Sequence, residues 1–101
     1  MTRMSWMDLK DKKLGAMSQA ERAEYDQAYA EARLAAEVGE HIHAAREAAG
    51  LSQRELARRM GTSQAAVDRL ESGGVGATLT TLQRVATALD LEVSIELRPS
   101  A

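Results

Sequence analysis

Four residues in the middle of the chain, Gln64, Ala65, Asp68 and Arg69, are spaced so that a helix brings them to one side. Gln64 and Asp68 lie one turn apart, as do Ala65 and Arg69. Each has a chemistry toward the edge of a base pair. The Gln64 amide can contact adenine N6 and N7 together, the Arg69 guanidinium can reach guanine O6 and N7 or a phosphate, and the Ala65 methyl suits the thymine methyl. Asp68 can accept from cytosine N4, but its charge is unfavourable near phosphates, so orienting Arg69 or Gln64 is an alternative role. Gln53 and Ser63, each at the start of a short helical pattern, suit phosphate oxygens with help from backbone N–H groups. Arg54 and Arg58, one turn apart, are flanking phosphate candidates, whereas Arg59 reads as a solvated charge.

Two short helices must position these groups. Ser52 can cap the first, and Glu55 three residues later completes a capping box. Leu56, Ala57 and Met60 share that helix's apolar face. Gly61 supplies a residue able to take positive φ, and Thr62 or Ser63 caps the second helix, whose inward residues are Ala66, Val67 and Leu70. Two helices joined by a tight glycine turn form a helix-turn-helix layout.

The residues Arg46, Gly50-Leu51-Ser52-Gln53, Leu56-Ala57, Gly61-Thr62-Ser63, Val67 and Leu70-Glu71-Ser72-Gly73 together resemble the Cro/C1-type (XRE) helix-turn-helix family over positions 37 to 90. The resemblance implies a mainly α helical bundle that binds a pseudo-palindromic double-stranded DNA operator as a homodimer, with its third helix in the major groove. It also implies that Arg46 and Glu71 form a structural ion pair tying the first helix of the motif to the recognition helix. Many family members carry basic residues after the glycine that follows the recognition helix. Here Gly74-Val75-Gly76-Ala77 reads as a flexible loop, and because Gly73-Gly74-Val75-Gly76 has no cation, phosphate contacts there come only from backbone N–H groups, with lower affinity and a flatter salt dependence.

The remaining chain supplies a frame for the motif. Residues 37–49 form its first helix, with Val38, Ile42, Ala45 and Ala49 inward, a bend expected at Gly39 and an end at Gly50. His41 and His43, two residues apart, do not share a helix face and read as solvated; no metal site is expected. Ser18 and Glu21 make another capping box, opening a helix to about Ala36 with a stripe of Tyr25, Tyr29, Ala32 and Ala36 among acidic residues. That stripe packs on the protein's own core, on a sister subunit or on a partner. Residues 1–17 show no clean period and read either as a loose or self-docked arm or as a segment ordering on a partner through Trp6 and the methionines. After the loop, Thr78 caps a core helix through Leu79, Leu82, Val85, Ala86 and Leu89.

The chain then alternates apolar and polar residues from Leu91 to Arg98, the pattern of a half-buried C-terminal β-strand, before Pro99. Leu91, Val93, Ile95 and Leu97 form its apolar face. The strand pairs with its copy across a dimer or folds back on the N-terminal arm. The expected organisation is an N-terminal helical extension over 1–36, a helix-turn-helix domain over 37–90 and a dimerisation element over 91–101.

Composition narrows the functional classes. The chain has 101 residues, no cysteine and a formal net charge of −2. Disulfide and thiolate chemistry are excluded, no cofactor is implied, and any DNA affinity must come from local cations rather than overall charge. Neither a GxSxG elbow nor an HExxH motif is present, so an enzyme is not expected. There is no membrane-length apolar run, and a cytoplasmic protein is expected. The layout of helical extension, motif and terminal strand is similar to that of HigA-type antitoxins. This implies a small basic ribonuclease toxin of the HigB/RelE-like kind as partner and repression of the protein's own operon. An XRE-family repressor without a toxin, and an interaction adaptor that has lost DNA binding, are the alternatives.

Overall fold

A computed structural model describes residues 18–100 and resolves them into four α-helices: α1 (Gln19–Ala48), α2 (Gln53–Met60), α3 (Gln64–Gly73) and α4 (Leu79–Leu89). The chain divides into two units, Met1–Ala32 and Arg33–Ala101, and α1 contributes to both. In the first unit, the Ser18 side chain accepts from the Glu21 N–H at 3.2 Å, and Gln27 donates to Glu31 one turn on. Tyr25 is half-buried, Tyr29 is 53% exposed and Ala32 is exposed. Expectations about residues 1–17 lie outside the described residues.

The second unit is built around the apolar faces that periodicity marks. Leu56 and Val67 have no exposed surface, and Ile42, Ala57, Met60, Leu70, Val85 and Leu89 close around them. Burying a side chain of this size contributes about 1.5–3 kcal/mol, so α2 and α3 hold each other chiefly through these contacts. Leu79 and Ala49 depart from expectation. Leu79 is 71% exposed and Ala49 is also exposed, because each stands at a helix end beyond the reach of the core.

Helix α1 corrects another expectation. It runs without interruption for 30 residues, so the extension and the first helix of the motif are one element. Gly39 marks no break. It is buried where α1 crosses the end of α3, and a Cβ there would lie 2.7 Å from the carbonyl oxygens of both Leu70 and Glu71. At Gly74, with φ of +68°, a Cβ would fall 2.2 Å from the carbonyl oxygen of Ala35. Ala35 and Gly39 are one turn apart, so α1 meets the end of α3 backbone to backbone. Gly73 is the last helical residue, and Gly74, first of the expected loop, ends α3 with its N–H on the Leu70 carbonyl, followed by Val75 N–H on that of Arg69.

No strand occurs among the described residues, and positions 91–100 have no regular structure. Leu91, Val93, Ile95 and Leu97 are 53%, 37%, 65% and 95% exposed. A strand exists only through hydrogen bonds to a neighbouring strand, and none of the described segments supplies one. Leu91 to Ile95 instead edge an apolar groove shared with Ile42, Leu82 and Val85. No helix of the described residues is long and apolar enough to cross a membrane.

Candidate nucleic-acid interface

The caps fix where each helix begins and hence which residues point outward. Ser52 accepts from the Glu55 N–H at 3.1 Å while its own N–H donates to Glu55 Oε1 at 3.2 Å, completing the capping box. The backbone and side chain of Ser52 hold the Glu55 carboxyl below its ordinary range. Gly61 closes α2 with φ of +69°, and Ser63 rather than Thr62 caps α3, accepting from the Ala66 N–H at 3.1 Å. From that start, Gln64, Ala65, Asp68 and Arg69 are all exposed, while Val67 and Leu70 are buried behind them. The four side chains form one outward surface on α3.

The edges of this surface differ in chemistry. On one side Gln64 adjoins Ser52, Gln53, Arg54 and Arg46 around a shallow depression. Arg54 is exposed there, and Arg58 is exposed one turn further along α2. Gln53 is engaged with α3, its Nε2 donating to Asp68 Oδ1 and Glu71 Oε1, each at 3.4 Å. Asp68 therefore meets Gln53, not Arg69 or Gln64 as expected of an orienting carboxylate. On the other side, Arg69 shares a pocket of about 170 Å³ with Arg84 of α4. The Arg84 guanidinium donates to the carbonyl of Met60, the last residue of α2. Arg59 also reaches a carbonyl, that of Ala88, at 3.4 Å.

Beneath the surface lies an ion-pair cluster that locks α3 to α1. Arg46 Nε is 2.7 Å from Glu71 Oε2 and Arg46 Nη2 is 3.0 Å from Oε1, a bidentate pair whose side chains are 11% and 5% exposed. Arg46 Nη1 also donates to the Leu51 carbonyl at 2.7 Å, joining the α1–α2 turn to the cluster. Hydrogen bonding to Glu71 raises the Arg46 pKa despite burial. Burial pushes the Glu71 carboxyl up, but hydrogen bonds from Arg46, His43 and Gln53 outweigh it and hold the group below its ordinary range. His43 is thus no free surface histidine: its Nδ1 is 2.7 Å from Glu71 Oε1 and its Nε2 is 2.7 Å from Glu47 Oε1. No cluster of three or more metal-ligating residues occurs among the described residues.

Three residues of this arrangement escape a sequence reading. The His43–Glu47 spacing is a visible i,i+4 signal, but the link to Glu71 spans 28 positions. Arg84 lies 24 positions from Met60 and reads as one polar residue among several on α4. Gly39 announces only a weakened helix until the crossing with α3 is known.

A helix-turn-helix family model matches residues 42–95, just over half of the chain. A protein of Sinorhizobium fredii described as an uncharacterized HTH-type transcriptional regulator, y4dL, is 43% identical over 56 residues. That match takes in 55% of this chain but only 29% of the relative's length. With α2 and α3 packed through Leu56 and Val67, the glycine turn between them and the family match over the same segment, the chain belongs to the helix-turn-helix family of the XRE type.

Proposed function

We propose that the protein is a transcriptional regulator that binds a DNA operator sequence-specifically through α3. The observation carrying this reading is the exposure of Gln64, Ala65, Asp68 and Arg69 on one rigidly backed surface, flanked by Arg54 and Arg84. A helix carried into the major groove presents such side chains to base edges. In this reading Gln64 and Arg69 discriminate bases, Ala65 and Asp68 complete the reading surface, and Gln53, Arg54, Arg58 and Ser63 serve the backbone. Gel-shift titration at two salt concentrations tests it. Arg69→Ala should abolish discrimination between a selected operator and a scrambled duplex while the protein stays folded. Equal discrimination by the variant would refute the assignment of this surface.

The operator is read as a pseudo-palindrome by a homodimer joined through residues 91–97. Four apolar side chains left exposed in an alternating segment support this pairing. Deleting residues 91–101 should give a monomer by sedimentation; a persistent dimer would reject the tail as its seam.

The finer reading is that of a HigA-type antitoxin: the protein neutralises a HigB/RelE-like ribonuclease by direct binding and represses the operon encoding both. What favours it is α1 between Gln19 and Ala36, where Tyr29, Ala32 and Ala36 are exposed and Glu21, Glu24, Asp26 and Glu31 outnumber Arg22 and Arg33. An acidic helix with an apolar stripe suits a small basic partner. Coexpression with a small basic ribonuclease encoded beside it should yield a copurifying complex and relieve toxicity. Operator binding without such a complex would leave a repressor with no toxin partner, and complex formation without operator binding an interaction adaptor.

A further inference from the structure

The pocket beside Arg69 is positively charged by construction. Thr62 comes from the turn, Arg69 from α3, Val75 and Gly76 from the segment after it, and Thr81 and Arg84 from α4; no acidic residue lines it. Arg84 is held by the Met60 carbonyl, at the C-terminal end of α2 where the helix dipole favours a cation. That bond fixes the guanidinium without neutralising it. Among the described residues, neither Arg69 nor Arg84 has a carboxylate within salt-bridge distance. Arg84 brings an uncompensated guanidinium to one small pocket that Thr62 and Thr81 also line, with the Arg69 cation at its edge, a suitable receptor for a tetrahedral oxyanion.

We propose that this pocket takes one phosphodiester group of DNA, with Arg84 supplying from α4 the cation that the Gly73–Gly76 segment lacks. The inference rests on the proposed DNA-binding role of α3 and adds the second of its two backbone anchors. A helix in the major groove runs between two sugar–phosphate strands. On α3, Gln64 borders the depression holding Ser52, Gln53 and Arg54, while Arg69 borders this pocket. Asp68 and Ala65 lie between. Cations on both edges of a single reading surface match the two strands, one edge to each.

The test is a salt series of fluorescence-anisotropy titrations with two duplexes of about 20 base pairs: one enriched by the wild-type protein from a randomised pool, the other a scrambled version. Each phosphate contact contributes about 0.9 to the slope of log affinity against log salt. Arg84→Gln, which keeps an amide able to reach the Met60 carbonyl, should lower the slope by about that amount. It should also weaken both duplexes by a similar factor, roughly tenfold, as loss of a phosphate contact requires. Arg84→Lys should recover most of the slope. Thr81→Glu gives a second route, because Thr81 lines the pocket and the Thr78 cap is made to the residue 81 N–H, which any side chain keeps. Its carboxylate enters the pocket and should weaken both duplexes at least tenfold. An unchanged slope in Arg84→Gln, or unaffected binding by Thr81→Glu, would overturn the phosphodiester site. If Arg69→Ala still abolishes discrimination in that case, the DNA-binding reading stands and only this inference falls. If the wild-type protein enriches no duplex, both fall together.

Discussion

In residues 52–74 the apolar positions follow the helical period, and Leu56 and Val67 finish with no exposed surface. In residues 91–98 they alternate, and Leu91, Ile95 and Leu97 remain 53%, 65% and 95% exposed. Both segments carry regular patterns, but they differ in what a single chain can complete. A helix satisfies its backbone within itself, so an apolar stripe needs only another stripe to cover it, and α2 and α3 cover each other. A strand leaves alternate backbone groups open until a second strand arrives, and the described residues contain none. The motif is therefore finished within one chain, while the tail leaves apolar side chains uncovered, which is the basis for the proposed dimer.

That comparison can be broken at either end, and the largest effect belongs to the finished end. Gly74→Ala places a methyl on the Ala35 carbonyl and forces a left-handed alanine. The conformation alone costs about 1–2 kcal/mol and overpacking about 1–3 more. We expect a loss of about 2–5 kcal/mol in chemical denaturation, and no loss would mean that α1 and α3 do not meet as described.

Breaking the Arg46–Glu71 pair should cost nearly as much. Glu71→Gln leaves Arg46 mostly buried without its counter-charge, a loss of about 3 kcal/mol near neutral pH. The pH dependence has a definite sign. The folded pKa of Glu71 lies below its unfolded value, so its contribution is complete above the ordinary glutamate value of about 4.3 and is lost as pH falls through the folded pKa. Wild-type stability should fall through that acid window, and the variant should show a shallower decline. Parallel slopes in denaturant melts across the window would remove Glu71 from the account.

At the unfinished end, Ile95→Lys should leave monomer stability within about 0.5 kcal/mol, since the side chain is largely exposed, yet weaken self-association at least tenfold by sedimentation. A tail that mattered only within one chain would give the reverse result. The smallest effect is expected where the motif unit meets the tail. Asp90 ends α4 with φ of 60°, the sole non-glycine in the left-handed region among the described residues. Asp90→Gly should raise stability by about 0.5 kcal/mol, the relief of backbone strain being partly offset by glycine's greater freedom when unfolded.

Much of the motif is legible in the order of its residues. Ser52 with Glu55, Gly61, and the apolar face of Leu56, Met60, Val67 and Leu70 encode their roles within a few residues, because caps, turns and helical periodicity are local properties. The exposure of Gln64, Ala65, Asp68 and Arg69 follows from the same period. Other features depend on pairs of distant residues, which no local pattern contains. The crossing that needs glycine at 39 and 74, the attachment of His43 to Glu71, and the delivery of Arg84 to the α2–α3 turn all join positions more than twenty apart. Sequence alone determined where α2, α3 and α4 form and which face of α3 looks outward. Tertiary structure decided what stands beside that face, because only packing brings α1 beneath it and an α4 guanidinium to its edge.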